Sequence, residues 1–108
     1  MKLPNCTEAV IHEIKLTGYL LDEDNSKSKS FFFNQIGSDK HNFLLLSQAL
    51  KRLACSGEVI RTELAKFGMK YRVIGYLDNP LECNVSVLSI WIFDTGSFVP
   101  RLITAYPY

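Results

Sequence analysis

The sequence predicts an α+β fold in which N-terminal helices pack on one face of a roughly four-stranded antiparallel sheet. Three observations predict it. Apolar residues recur at three- and four-residue spacing before Gly57 and in strand-like runs after it. Val85 to Phe93 is β-branched and apolar on both sides, with Val85, Val87, Trp91 and Phe93 on one and Leu88, Ile90 and Ile92 on the other, as expected of a central strand buried twice over. Asp94-Thr95-Gly96-Ser97 then joins it to a second apolar run ending at Pro107, which is a hairpin signal. A chain of 108 residues suits a single domain, 1–108, with 1–57 its mainly helical half and 58–108 its antiparallel sheet half.

Residues 1 to 9 have no clear period and read as an extended arm. Val10 to Leu21 reads as a short helical turn followed by a packed connection, with Gly18 as an interruption. Glu23-Asp24-Asn25-Ser26 closes on a helix N-cap, and the helix runs from Ser26 to Ile36, buries Phe32, Phe33 and Ile36, and stops at Gly37. After a loop from Ser38 to His41, Phe43, Leu46, Ala49, Leu50 and Leu53 form the stripe of a stronger helix, Asn42 to Ala54, ended by Gly57. Glu58 to Lys66 is compatible with helix or strand. Strand is preferred, because Lys70 to Leu77 is strand-like and needs a neighbour across Phe67-Gly68-Met69. Asp78 to Glu82 is a turn cluster leading to the closing hairpin.

Composition excludes several classes. With 47% hydrophobic and 21% charged residues the chain is ordinary for a globular protein, and it has no apolar run long enough for a membrane helix and no signal-peptide segment. A cytoplasmic protein without membrane contact is expected. A net charge of +1 gives no global attraction to nucleic acid, so any phosphate site has to be local. The three cysteines, Cys6, Cys55 and Cys83, are odd in number and widely spaced, which predicts reduced, inert thiols and no disulfide framework. No glycine-rich nucleotide loop, Ser-His-Asp signature or metal-ligand spacing is present, so neither cofactor nor metal is expected.

Two stretches could carry chemistry. Ser26-Lys27-Ser28-Lys29-Ser30 places cations where the positive end of a helix dipole makes them unhelpful unless an anion is bound, although solvated lysines and a capping serine account for the pattern too. Arg101 and Thr104 bring polar groups into an otherwise apolar final strand, where an Arg can grip phosphate and a Thr hydroxyl can position it. In a regular strand these two point to opposite faces, so a shared ligand needs a bulge or a bend after Pro100. Without one they read as a surface Arg and a strand-favouring Thr. Lys70, Tyr71 and Arg72 alternate, giving two cations on one face, usually a solvated one. His12 and His41 stand in no recognisable motif.

Tyr19-Leu20-Leu21, Lys27-Ser28-Lys29-Ser30-Phe31-Phe32, Phe67-Gly68-Met69-Lys70-Tyr71, Ser89-Ile90-Trp91-Ile92 and Pro100-Arg101-Leu102-Ile103-Thr104-Ala105-Tyr106-Pro107 resemble, in that order, an uncharacterised bacterial domain family. Its members read Tyr-Leu-Leu, a basic Gly-Arg-Ser-Lys-Ala stretch before Phe-Phe, aromatic-Gly-x-Lys-Tyr, a Val-Trp strand and Pro-Arg-Leu-Val-Thr-Ala-Tyr-Pro. The closing strand also resembles that of the barnase, EndoU, colicin and RelE-like superfold of small, generally metal-independent toxin nucleases. The resemblance implies an RNA-cleaving toxin with a small antitoxin or immunity protein as partner, in which Lys29, Arg101 and Thr104 are catalytic. Lys27, Tyr71 and Tyr106 would bind RNA, the tyrosines by stacking on bases. The reaction would be attack of a ribose 2′-hydroxyl on the adjacent phosphate, which needs a base, a phosphate clamp and a leaving-group acid. The chain departs from the family in having Ser26 for a usual Gly and Glu23-Asp24 where a His is frequent, which leaves the base unassigned. A non-catalytic interaction module, or an inactive relative of the nuclease fold, is the competing reading.

Overall fold

A computed structural model describes residues 1–108. Three helices precede four strands: α1 (Glu13–Lys15, continued by a π-helical turn, Leu16–Leu20), α2 (Lys27–Gln35), α3 (Phe43–Ser56), β1 (Glu58–Ala65), β2 (Gly68–Tyr76), β3 (Ser86–Asp94) and β4 (Pro100–Pro107). The α+β layout expected from the change of period at Gly57 is the one observed. Helix α2 ends where Gly37 takes a φ of 94°. Its Phe33 is fully buried, while Phe32 packs at the margin of the core. Ahead of α3, Asp39 accepts from the amides of His41 and Asn42, and Asn42 accepts from that of Asp39, a reciprocal cap that the loop reading did not include.

All four strands are antiparallel, in the order β1-β2-β3-β4, so β3 is interior and is buried on both faces as its sequence requires. Glu58 to Ala65 is the strand paired with β2, which settles the helix-or-strand alternative. Facing the helices are Val73, Val87, Trp91, Leu102 and Ala105. They join Leu46, Leu50, Leu53 and Phe33 in one cluster of 18 buried apolar residues. Gly57 lets α3 close onto β2, because a Cβ there would lie 2.5 Å from the carbonyl oxygen of Ile74.

The N-terminal arm is tied down more firmly than an extended segment. The amide of Val59 donates to Met1 O at one edge of the sheet, and Val10 forms a parallel bridge beside Arg101 at the other. Leu3 and Ala9 are buried between these points. The expectation of reduced thiols is corrected here: Cys6 and Cys55 form a disulfide, and only Cys83 is free. Sequence separation hid the pair, because the two cysteines are 49 positions apart in the chain while their Cα atoms are 5.2 Å apart. The arm's 3₁₀ turn, Cys6–Glu8, sets Cys6 against the last turn of α3.

Candidate functional site

The site begins with a bulge in β4. Ile90 and Trp91 are adjacent on β3, yet they pair with Thr104 and Leu102, so Ile103 is an extra residue in the ladder. The bulge changes the parity that a regular strand would impose. Arg101, Thr104 and Tyr106 stand opposite Ile92, Ile90 and Leu88, which are alternate residues of β3 and therefore share one face. Leu102 and Ala105 are both left on the helix side, where they are buried. The bulge that a common ligand for Arg101 and Thr104 demands is thus present.

On this face Leu88, Ile90 and Ile92 form an apolar row, flanked on β2 by Lys70 and Arg72 and on β4 by Arg101, Thr104 and Tyr106. Arg72 Nη2 donates to Glu63 at 3.2 Å, and its buried Nε–H has no partner. Arg101 is engaged already: Nε and Nη2 donate to the two carboxylate oxygens of Asp94 at 2.7 and 2.9 Å. This fork holds the Asp94 carboxyl below the ordinary carboxylate range and raises the already high pKa of Arg101. Arg101 keeps its position two rungs along the ladder from Thr104, roughly 7 Å at the usual strand rise, but not as an unpaired phosphate clamp.

Two further cations without a carboxylate partner, Lys15 and Lys29, lie at the outer end of the face. Helices α1 and α2 border β4, and they deliver Tyr19 and Lys29 to its side chains. Lys29 Nζ sits 5.5 Å from the centroid of the Tyr19 ring and 5.9 Å from that of Tyr106. Lys15 Nζ lies 5.2 Å from the Tyr19 ring. Thr104 Oγ1 donates to the Tyr19 hydroxyl at 3.5 Å, longer than a full O–H···O bond. That hydrogen bond from Thr104 lowers the Tyr19 pKa below that of an ordinary phenol. Lys29, by hydrogen bond and charge, and Lys15, by charge, act in the same direction against the opposing effect of partial burial. No carboxylate forms an ion pair with Lys15 or Lys29.

The structure brings together Lys29, Thr104 and Tyr106, keeps Arg101 on their face, and leaves two expected residues elsewhere. Tyr71 belongs to the helix side of β2, where its ring packs edge-on to Phe93 at 5.2 Å. Lys27, two positions from Lys29, is on the opposite side of α2. It lines a cavity of about 1030 Å³ with Phe31, Asn34, Asp22, Asp39 and His41. No three His, Cys, Asp or Glu side chains converge as metal ligands would. Tyr19 is the participant that sequence reasoning missed. Its signal was the Tyr19-Leu20-Leu21 motif, which matches the family pattern but whose spacing to Thr104, 85 residues away, carries no chemistry by itself.

Comparison with known proteins adds a fold and a family. One chain of a solved contact-dependent growth inhibition toxin–immunity protein complex from Klebsiella pneumoniae 342 superposes with a TM-score of 0.72 at 13% sequence identity, over 92% of this chain and 99% of that one. At that identity the likeness shows a shared fold. No curated protein matches the sequence. The model of the family described as a domain of unknown function, DUF6883, matches residues 2–108, and the chain belongs to that family.

Proposed function

We propose that the protein is a toxin-type ribonuclease that cleaves RNA without a metal ion, and that its site is the β4 face closed off by α1 and α2. The observation that carries this reading is the convergence of Lys29, Thr104, Tyr106 and Tyr19 on one side of β4, with two lysines that no carboxylate neutralises. An anion is the natural complement of such a cluster, and a ribonuclease that acts through the 2′-hydroxyl needs charge and hydroxyl groups at the phosphate. Lys29 and Lys15 supply charge to the scissile phosphate, and Thr104 orients it. Tyr106 offers an aromatic surface for a base. Arg101, held by Asp94, lends its field from two rungs away, and Lys70 and Arg72 extend the positive face toward neighbouring phosphates. The fold shared with a chain from a growth inhibition toxin–immunity complex supports a partner of the immunity or antitoxin kind, which would neutralise the protein by covering this face.

The test is an assay of purified protein on total RNA with a metal chelator present. Lys29→Ala and Thr104→Val should each lower the rate about a hundred- to a thousandfold, the usual effect of losing an electrostatic contact to the transition state, and Arg101→Ala, which removes a charge already held by Asp94, should lower it less. Their thermal midpoints should stay near that of the wild type for Lys29→Ala and Thr104→Val. Absence of wild-type cleavage, or cleavage indifferent to all three changes, would move the second reading ahead. That reading, a non-catalytic interaction module, draws on the exposed side chains of Leu64, Phe67 and Phe98, which are 82%, 67% and 81% accessible.

A further inference from the structure

We infer that Tyr19 is the acid that protonates the leaving 5′-oxygen, a role that rests on the RNA-cleavage reading above. Its placement is built into the fold. The π-helical turn Leu16–Leu20 buries Leu16 and Leu20 in the core and leaves Tyr19 at the edge, directed at Thr104 of β4. Turns of this kind are frequent at functional sites because they rotate one side chain out of helical register. The charged and titratable groups around the ring are Lys15 from α1, Lys29 from α2 and, beneath Lys29, Tyr106 from β4. All of the charge among them is positive.

Such surroundings suit a proton donor. The cations and the Thr104 hydroxyl stabilise the phenolate more than the phenol, so the proton leaves more readily than from a tyrosine in water. In the reaction the ribose 2′-oxygen bonds to phosphorus and gives its proton to water. The bond from phosphorus to the 5′-oxygen breaks, its electron pair stays on that oxygen, and the Tyr19 hydroxyl supplies the proton that completes the 5′-hydroxyl. The products are a 2′,3′-cyclic phosphate and a 5′-hydroxyl end, and the phenolate, held by Thr104 and the lysines, is reprotonated by water. The 3.5 Å spacing leaves the Tyr19 hydroxyl only loosely engaged before substrate arrives.

A substrate whose leaving group needs no proton separates this role from any other. An RNA oligonucleotide cleaved by the wild type is compared with the same oligonucleotide carrying sulfur in place of the scissile 5′-oxygen, since a thiolate leaves unassisted. Tyr19→Phe should slow cleavage of the ordinary RNA about a hundredfold or more, and of the sulfur-bridged RNA less than about fivefold. Retained activity on the second substrate also shows that the variant is folded. In the wild type, the rate on ordinary RNA should fall as alkaline pH deprotonates Tyr19, and this limb should be missing with the sulfur-bridged substrate. Equal losses on both substrates, or a Tyr19→Phe enzyme within about threefold of wild type on ordinary RNA, would overturn the role of Tyr19 and leave the ribonuclease reading standing. Wild-type protein inactive on every RNA would remove that reading, and the role with it.

Discussion

Trp91 is the largest fully buried side chain, and its indole N–H would be costly to bury without a partner. Ser89, on the same face of β3, answers it: its hydroxyl accepts from Trp91 Nε1 at 2.9 Å and donates to Val73 O at 3.2 Å. Ser89→Ala should therefore destabilise by about 1 to 3 kcal/mol, the cost of an orphaned buried donor. Trp91→Ala should cost about 3 to 5 kcal/mol. Denaturant unfolding of the two variants checks both figures. A loss below about 1 kcal/mol for Trp91→Ala would mean that the ring does not fill the core. At this scale the sequence was legible where a residue's own pattern decides its place, as for Trp91 in a run apolar on both sides. It was not legible for Tyr19, Thr104 and Lys29, whose meeting depends on chain segments far apart. Tyr71 shows the converse, since strand alternation alone cannot say which parity faces the helices.

The bulge at Ile103 and the strap formed by the N-terminal arm are element-scale features, and neither has a local sequence signature. Pro100 marked β4 as unusual, but only pairing with β3 reveals the residue inserted into the ladder. The disulfide likewise follows from how the arm crosses α3, not from cysteine spacing. By closing a loop of 49 residues it should contribute about 4 kcal/mol, chiefly by restricting the unfolded chain. Cys6→Ser should lose that stability. It should also speed hydrogen exchange at the amides of Val59 and Leu102, which bond to Met1 and Val10 of the arm, before those between β2 and β3. Unchanged exchange at both amides would show that the arm is held without the crosslink. The Asp94–Arg101 pair clips the hairpin on the face of the site. Because Asp94 has a lowered pKa when folded, its contribution is complete above the unfolded value, about 3.9, and is lost as pH falls through the folded one. Asp94→Asn should make stability less sensitive to pH in that acid range, as followed by the unfolding midpoint.

For the whole molecule, order and class of the elements follow from one change of period at Gly57, because both patterns are strong and each half buries its face on the other. The fold by itself does not fix chemistry, and the same architecture can serve a nuclease or a binding module. The proposed nuclease reading rests on an apolar row on the sheet, rimmed by Lys70, Arg72 and Arg101 and ending in the Lys29, Tyr19 and Thr104 cluster. His12 lies at the start of α1 and His41 lines the cavity beside Lys27. The central claim, that this face cleaves RNA by way of the 2′-hydroxyl, is tested most directly by the chemistry of the cut ends. RNA incubated with purified protein and a metal chelator should yield 2′,3′-cyclic phosphate and 5′-hydroxyl termini, and a single 2′-deoxy substitution at the cut position should abolish cleavage there. Products ending in 3′-hydroxyl and 5′-phosphate, cleavage that persists at the 2′-deoxy position, or intact RNA would contradict it.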